Sequence, residues 1–160
     1  INTFAIKRPD LITDGAKKFG SQCIVVSIDA FKHENENYEV YINSGSKPTG
    51  VNPVEWAKQV ENLGAGEILI NSILHDGTMN GFDLNLIKSI TKAVNIPVIA
   101  AGGAGKIEDF PPVVLEGGAS AVAAASIYHY TKYTPNMVKG AMHSAGIPVR
   151  MYPDVDYSIT

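Results

Sequence analysis

Apolar runs introduced by glycine turns recur along this chain. The block from Gly64 to Ser72 returns in degraded form from Gly118 to Ser126, and a fainter copy runs from Gly20 to Ser27. Each copy is a glycine turn, a run of small or β-branched apolar residues and a closing polar residue. This pattern is typical of a chain that leaves a helix, crosses a buried sheet and surfaces at the far edge. The repeat predicts a βα unit used several times.

Segments with helical periodicity separate the apolar runs. Asn52 and Asp83 are suited to cap two of the helices, and Thr134-Pro135 opens the last one. Helices are predicted at 9–19, 53–63, 84–94, 106–116 and 135–145, and strands at 23–28, 68–71, 95–100 and 121–125. Alternating polarity from Tyr38 to Ile42 predicts a short hairpin in a long loop after the first strand.

Strands that alternate with helices indicate βαβ units and a parallel sheet, so the fold class is α/β. Four complete units amount to half of an eightfold barrel or to a small open α/β sheet. Residues 1–150 form the predicted domain. Residues 151–160 show no periodicity, and we expect them to be a disordered tail.

Length, charge and composition argue against several classes of function. A length of 160 residues fits one domain, and a net charge of -3 without a Lys or Arg cluster argues against binding to nucleic acid or an anionic membrane. No apolar run approaches the roughly 20 residues that span a bilayer. Cys23, the single cysteine, lies in an apolar run, where we expect it to be buried. A chain with one cysteine cannot form an internal disulfide, which fits a cytoplasmic protein. Because the chain begins at Ile1 without Met, we expect a preceding portion.

Two predicted strand ends indicate a phosphate site. Gly102, Gly103 and Gly105 follow one strand, and glycines let backbone N–H groups approach an anion closely. The next strand ends at Ala125-Ser126 and leads into a stretch that we expect to be a short helix. Phosphate held by the last two βα loops and a short extra helix is typical of eightfold barrels. The alternative interpretation of the glycine loop is a plain tight turn.

Two aspartates also follow strands. Asp29 directly ends an apolar run and could act as a general acid or base. Asp76 precedes Gly77, a common turn pair, so a purely structural role stays open. Thr78 could bind phosphate or a substrate hydroxyl, and Asn71 ends its own strand. The histidines show no metal-ligand spacing, so we predict neither a metal nor a cofactor.

Several of these segments occur together in one known family. The segments are Ser27–Ala30, Gly64–Leu69, Asp76–Thr78 with Gly81–Asp83, Ala101–Gly105, and Ala124–Ser126 with Gly146–Arg150. In this order they resemble the cyclase subunit of imidazole glycerol phosphate synthase from histidine biosynthesis. The likeness covers residues 1–150 and only the second half of that (β/α)8 barrel.

The resemblance implies a lyase that takes ammonia from a partner glutaminase. It would convert a bisphosphorylated ribulosyl aminoimidazole carboxamide into imidazole glycerol phosphate and an aminoimidazole carboxamide ribotide. Asp29 matches one of two catalytic aspartates, and the other belongs to the absent half. Gly102, Gly103, Ala125 and Ser126 match the contacts to one substrate phosphate, and Asn2 and Thr3 match contacts to the second. Asp76 and Gly77 match a loop near the substrate. Asn71 and Thr78 complete the predicted set of substrate-binding residues. Glu67 matches a charged residue at the ammonia entrance.

The chain departs from the family pattern at Leu74, Asn71 and Ala101, where an acid, a Thr and a Ser are usual. The segment from Met79 to Asp83 also resembles paralogues that supply ammonia to surface-sugar amidation, while Arg150 favours the histidine enzyme. A fragment of this kind is expected to bind phosphate and to turn over weakly or not at all. A non-catalytic binding module that pairs with itself, or with the missing half-barrel, is the other hypothesis.

Overall fold

The computed structural model describes residues 1–151. Its helices are α1 (Thr3–Lys7), α2 (Asp10–Phe19), α3 (Pro53–Asn62), α4 (Leu84–Thr91), α5 (Phe110–Leu115), α6 (Ser126–Tyr130) and α7 (Pro135–Ser144). Its strands are β1 (Val25–Lys32), β2 (Tyr38–Ile42), β3 (Lys47–Pro48), β4 (Glu67–Ser72), β5 (Val98–Ala101) and β6 (Ala121–Val122). Short 3₁₀ turns cover Ser21–Cys23 and Ile107–Asp109.

All six strands belong to one sheet, in the order β3-β2-β1-β4-β5-β6. The pairs β1–β4, β4–β5 and β5–β6 are parallel, whereas β1–β2 and β2–β3 are antiparallel. The prediction of an α/β fold with parallel βα units is therefore confirmed. The antiparallel hairpin is an addition to the parallel set, placed where the alternating residues 38–42 predicted it.

Three helices begin at the predicted capping residues. The Asn52 side chain accepts hydrogen bonds from the N–H groups of Val54 and Glu55, and that of Asp83 accepts one from Leu86. Thr134 caps α7 in the same way. Each cap satisfies N–H groups that the first turn of a helix leaves without a partner.

Side chains on the strands alternate between a buried and a half-buried face. The buried face of the three long parallel strands consists of Val26, Ile28, Ala30, Ile68, Ile70, Ser72, Val98 and Ala100, and it contributes most of the strand residues of the core. On the other face the apolar side chains of Leu69 and Ile99 stay half-buried. The sheet is thus fully covered on one side only.

Several predicted strand bounds were wrong. Cys23 lies in a 3₁₀ turn and is exposed, so the prediction of a buried thiol in the first strand fails. The strand begins at Val25 and continues past Asp29 to Lys32, because β2 pairs with its second half. The last strand covers Ala121–Val122 rather than 121–125, since β6 pairs on one side only, with β5.

The predicted tail falls almost entirely on residues 152–160, which lie outside the described part of the chain. The domain boundary at 150 therefore stays a prediction. Within residues 1–151, no helix is long and apolar enough to cross a membrane.

Candidate functional site

The predicted site residues that end strands lie at one edge of the sheet. In the parallel register Asp29 pairs with Asn71, and Asn71 pairs with Ala101. Parallel strands bring their carboxyl ends to the same edge, where α/β folds bind their ligands. Two clefts open along this edge.

The first cleft is a shallow cradle of about 20 Å³ between the loops that follow β4, β5 and β6. We call it the glycine cradle. Its lining residues are small or acidic: Asp76, Gly77, Gly102, Gly103, Ala104, Ala124, Ala125 and Ser126. The backbone N–H groups of Gly103 and Ser126 donate to no described residue. The two strand-exit loops therefore present unpaired donors to one cleft, as a phosphate group would require.

Glycine is required at position 102. Its φ is +86°, and an added Cβ would lie 2.4 Å from Oδ1 of Asn71 and 3.2 Å from the backbone oxygen of Ser72. A side chain here would push the β5 loop away from the end of β4. The close approach therefore keeps Gly102, which lines the glycine cradle, next to the end of β4.

The second cleft, of about 280 Å³, lies beside the first. We call it the aspartate cleft. It is lined by Asp29, Ser44, Gly45, Asn71, Ile73 and Asp76. Since Asp76 lines both clefts, the two adjoin each other. The lining set contains two carboxylates and no cation.

Asp29 is held by the first residues of the chain. Nδ2 of Asn2 donates to Oδ2 of Asp29 at 2.9 Å. The Thr3 hydroxyl accepts a hydrogen bond from the N–H of Asn43 at 2.9 Å. Asn2 and Thr3 therefore connect the Asp29 carboxylate to the hairpin. Their predicted contact with a second phosphate stays a prediction.

The loop that carries Asp76 is fixed by backbone contacts. The carbonyl of Ser72, a buried residue, accepts from the N–H groups of His75 and Asp76. Nδ1 of His75 lies 2.7 Å from the carbonyl of Gly81. The Thr78 hydroxyl donates to the His75 carbonyl at 2.8 Å and lines neither cleft. Thr78 thus shapes the loop, and its predicted ligand contact stays untested.

Glu67 lies at the amino end of β4, opposite to Asn71 on the same strand. This is the far end of the sheet from both clefts, and the predicted role of Glu67 at an ammonia entrance stays a prediction. No group of three or more potential metal ligands occurs among residues 1–151.

Ser44 and Gly45 are cleft residues that the sequence reading missed. They lie in the turn between β2 and β3, which does not directly follow any of the parallel strands in the sequence. The available signal was the turn-forming triplet of Asn43, Ser44 and Gly45, all with positive φ. That triplet predicts a turn and gives no information on which cleft it faces.

Together, the parallel βα units and the clefts at the strands' carboxyl ends define an α/β protein of the TIM-barrel class, represented by half of a barrel. The family described as "Histidine biosynthesis protein" matches residues 1–134. The chain belongs to this family.

The chain is also similar to the imidazole glycerol phosphate synthase subunit HisF of Dehalococcoides mccartyi (strain ATCC BAA-2100 / JCM 16839 / KCTC 5957 / BAV1). The two are 52% identical over 151 residues, which cover 94% of this chain and 59% of that protein. This chain therefore spans little more than half the length of its curated relative. The resemblance found in the sequence is confirmed.

Proposed function

We propose that this chain is the carboxyl-terminal half of a cyclase of histidine biosynthesis. The substrate would be the bisphosphorylated ribulosyl aminoimidazole carboxamide that the resemblance implies, and ammonia would come from a glutaminase. Similarity to the relative named imidazole glycerol phosphate synthase subunit HisF supports the reaction class. The observation that carries the proposal is the pair of adjoining clefts: the backbone donors of Gly103 and Ser126 lie in one, and the Asp29 carboxylate lines the other.

In this proposal the glycine cradle holds one substrate phosphate. The N–H groups of Gly103 and Ser126 and the Ser126 hydroxyl donate to its oxygens. Gly102 and Ala125 leave the room that the anion needs, and Gly77 lines the opposite side. Backbone donors suit this task because they are fixed in place before the ligand arrives.

Asp29 is the proposed catalytic carboxylate. It lies in the aspartate cleft, within reach of a ligand whose phosphate occupies the glycine cradle. Nδ2 of Asn2 binds one carboxylate oxygen and so fixes the orientation of the group, leaving the other oxygen to exchange a proton. Asn71 and Asp76 face the same ligand. The second catalytic aspartate would come from the missing half.

The half-buried face of the sheet supports the need for a complement. Leu69 and Ile99 would become fully buried if a second half-barrel closed over them, which favours association. Glu67 would then lie at the amino-terminal mouth, where ammonia enters. The complement is either the amino-terminal half or a second copy of this chain.

Phosphate binding by this chain tests the first part of the proposal. Inorganic phosphate is expected to shift the amide resonances of Gly103 and Ser126, and Ser126→Ala should weaken binding about tenfold, as expected when one hydrogen bond to a charged group is lost. Ser21→Ala, an exposed serine at the opposite end of the sheet, is the matched control. Phosphate shifts that avoid both loops would refute the assignment.

Turnover tests the second part. With the bisphosphorylated substrate and ammonia, this chain alone should form little or no imidazole glycerol phosphate. Adding the amino-terminal half of a HisF relative should restore activity, and Asp29→Asn should abolish the restored activity while phosphate binding persists. Full turnover by the unaided chain would contradict the proposal.

A further inference from the structure

The loop after β4 contains the chain's single Asn-Gly pair, Asn80-Gly81. The Asn80 side chain is exposed and makes no hydrogen bond within the described residues. An asparagine that precedes glycine is prone to cyclise, because glycine has no side chain to hinder the attack of its own backbone nitrogen on the asparagine amide. Asn80 therefore combines a reactive sequence with an accessible amide.

The reaction of such a pair needs only water. The backbone nitrogen of Gly81 gives up its proton to water and attacks Cγ of Asn80, so that a new C–N bond closes a succinimide ring. The Cγ–Nδ2 bond breaks, and Nδ2 takes up protons and leaves as ammonia. Water then opens the ring at either carbonyl and leaves aspartate or isoaspartate at position 80. No step oxidises or reduces the chain.

The attacking nitrogen is restrained in the folded chain. The Gly81 N–H donates to the Gly103 carbonyl at 2.8 Å, and Nδ1 of His75 lies 2.7 Å from the Gly81 carbonyl. A proton held by the Gly103 carbonyl cannot pass to water, so this hydrogen bond must open before the nitrogen attacks. The fold thus leaves the Asn80 amide accessible but holds back its attacker.

We propose that Asn80 is a site of spontaneous conversion to aspartate and isoaspartate, and that opening of the Gly81–Gly103 hydrogen bond sets the rate. The succinimide has no N–H at residue 81, so this bond is lost when the ring forms. Isoaspartate restores the N–H but adds a carbon atom to the main chain, which displaces the N–H from the Gly103 carbonyl. Either final product also adds a negative charge to the loop.

Peptide mass spectrometry measures the conversion during incubation at mildly alkaline pH, with isoaspartate separated by its elution. The folded chain is compared with the same chain unfolded in guanidinium chloride. The folded chain should convert Asn80 measurably, but at least about fivefold more slowly, as one backbone hydrogen bond would provide. Asn35, an exposed asparagine followed by Glu36, is the internal control and should stay unchanged in both states.

Variants test the restraint and the position. An added Cβ at residue 103 would lie 2.1 Å from the Gly81 carbonyl oxygen, so Gly103→Ala should separate the two loops and bring the folded rate toward the unfolded one. Gly140→Ala, inside α7, should leave the rate unchanged. Asn80→Gln keeps an amide but lengthens the side chain by a methylene group, and it should stop the conversion at position 80.

The possible results decide the inference. Equal rates in the folded and unfolded chains, or no acceleration in Gly103→Ala, would overturn the role of the hydrogen bond. A folded chain whose Asn80 stays intact while the unfolded chain converts would overturn the site itself. Because the readout is a change of mass, it does not depend on phosphate binding. The inference therefore stands or falls separately from the proposed function.

Discussion

Replacing Gly103 by Ala should break the contact between the loops after β4 and β5, two of the three that form the glycine cradle. The φ of Gly103 is +119°, and an added Cβ would lie 2.1 Å from the carbonyl oxygen of Gly81. The obstacle is backbone, which cannot rotate away as a side chain would. The same two residues share a hydrogen bond from the Gly81 N–H to the Gly103 carbonyl at 2.8 Å, so the clash also strains that bond.

The expected cost has two parts. Holding a non-glycine residue in a sparsely populated backbone region costs about 1–3 kcal/mol. Forcing an extra methyl group into a closely packed place costs about 1–3 kcal/mol more. The free energy of unfolding should therefore fall by about 2–6 kcal/mol, a large share of what holds an ordinary domain together.

Gly140→Ala is the matched control. Gly140 lies inside α7 and nothing lies within 4 Å of an added Cβ. Alanine is favoured over glycine within a helix by about 0.5–1 kcal/mol, so this variant should gain stability. One methyl group thus has opposite effects at the two positions.

Urea denaturation followed by circular dichroism measures both changes. At a slope of about 1–3 kcal/mol per molar urea, the two midpoints should differ by about 0.8 M or more. Phosphate binding by Gly103→Ala should also weaken, because the N–H of residue 103 would move away from the other donors of the glycine cradle. A Gly103→Ala midpoint equal to that of the unmodified chain would refute the close contact on which the site depends.

Three further changes test other parts of the fold. Tyr38→Phe removes a hydroxyl that donates to both carboxylate oxygens of Asp83 at 2.9 and 3.0 Å, and should cost about 1.5–3 kcal/mol in urea denaturation at pH 7. Burial raises the pKa of Tyr38, and the Asp83 carboxylate raises it further. The unmodified chain should therefore lose stability as pH rises above about 10, and Tyr38→Phe should lose less. Asn52→Ala removes the cap of α3 and should cost about 1 kcal/mol, with Asn62, at the far end of that helix, as the control site. The N–H of Gly50 lowers the pKa of Glu39 below its usual 4.5, so Glu39→Gln should be less stable than the unmodified chain at pH 7, and the difference should vanish as pH falls through that lowered pKa.

Local signals in the sequence correctly predicted where three of the helices begin. Asn52, Asp83 and Thr134 cap helices as expected, since each cap is a contact between residues two or three apart. The strand ends were predicted less well because pairing decides them. Asp29 was expected to end β1, yet the antiparallel partner β2 extends that strand to Lys32.

The residues of the candidate site also fall into two groups, those that a local sequence pattern predicts and those that long-range contacts place. The glycine loop and the carboxylates were found because each directly follows an apolar run that a reader can recognise as a strand. Ser44 and Gly45 were missed because their place over Asp29 depends on the path of the hairpin and on its contact with Ile73. Such contacts join residues far apart in the chain, and no local pattern reports them.

The two clefts differ in how far they depend on a missing complement. Every residue that lines the glycine cradle comes from the loops after β4, β5 and β6 or from the first residue of α6. The three strands are neighbours within this sheet. The aspartate cleft lies nearer to the half-buried face, where Leu69 and Ile99 still have solvent beside them. Covering that face removes water, which strengthens the electrostatic interactions of Asp29. Phosphate binding should therefore be a property of this chain by itself, while the proton chemistry of Asp29 should need the closed barrel.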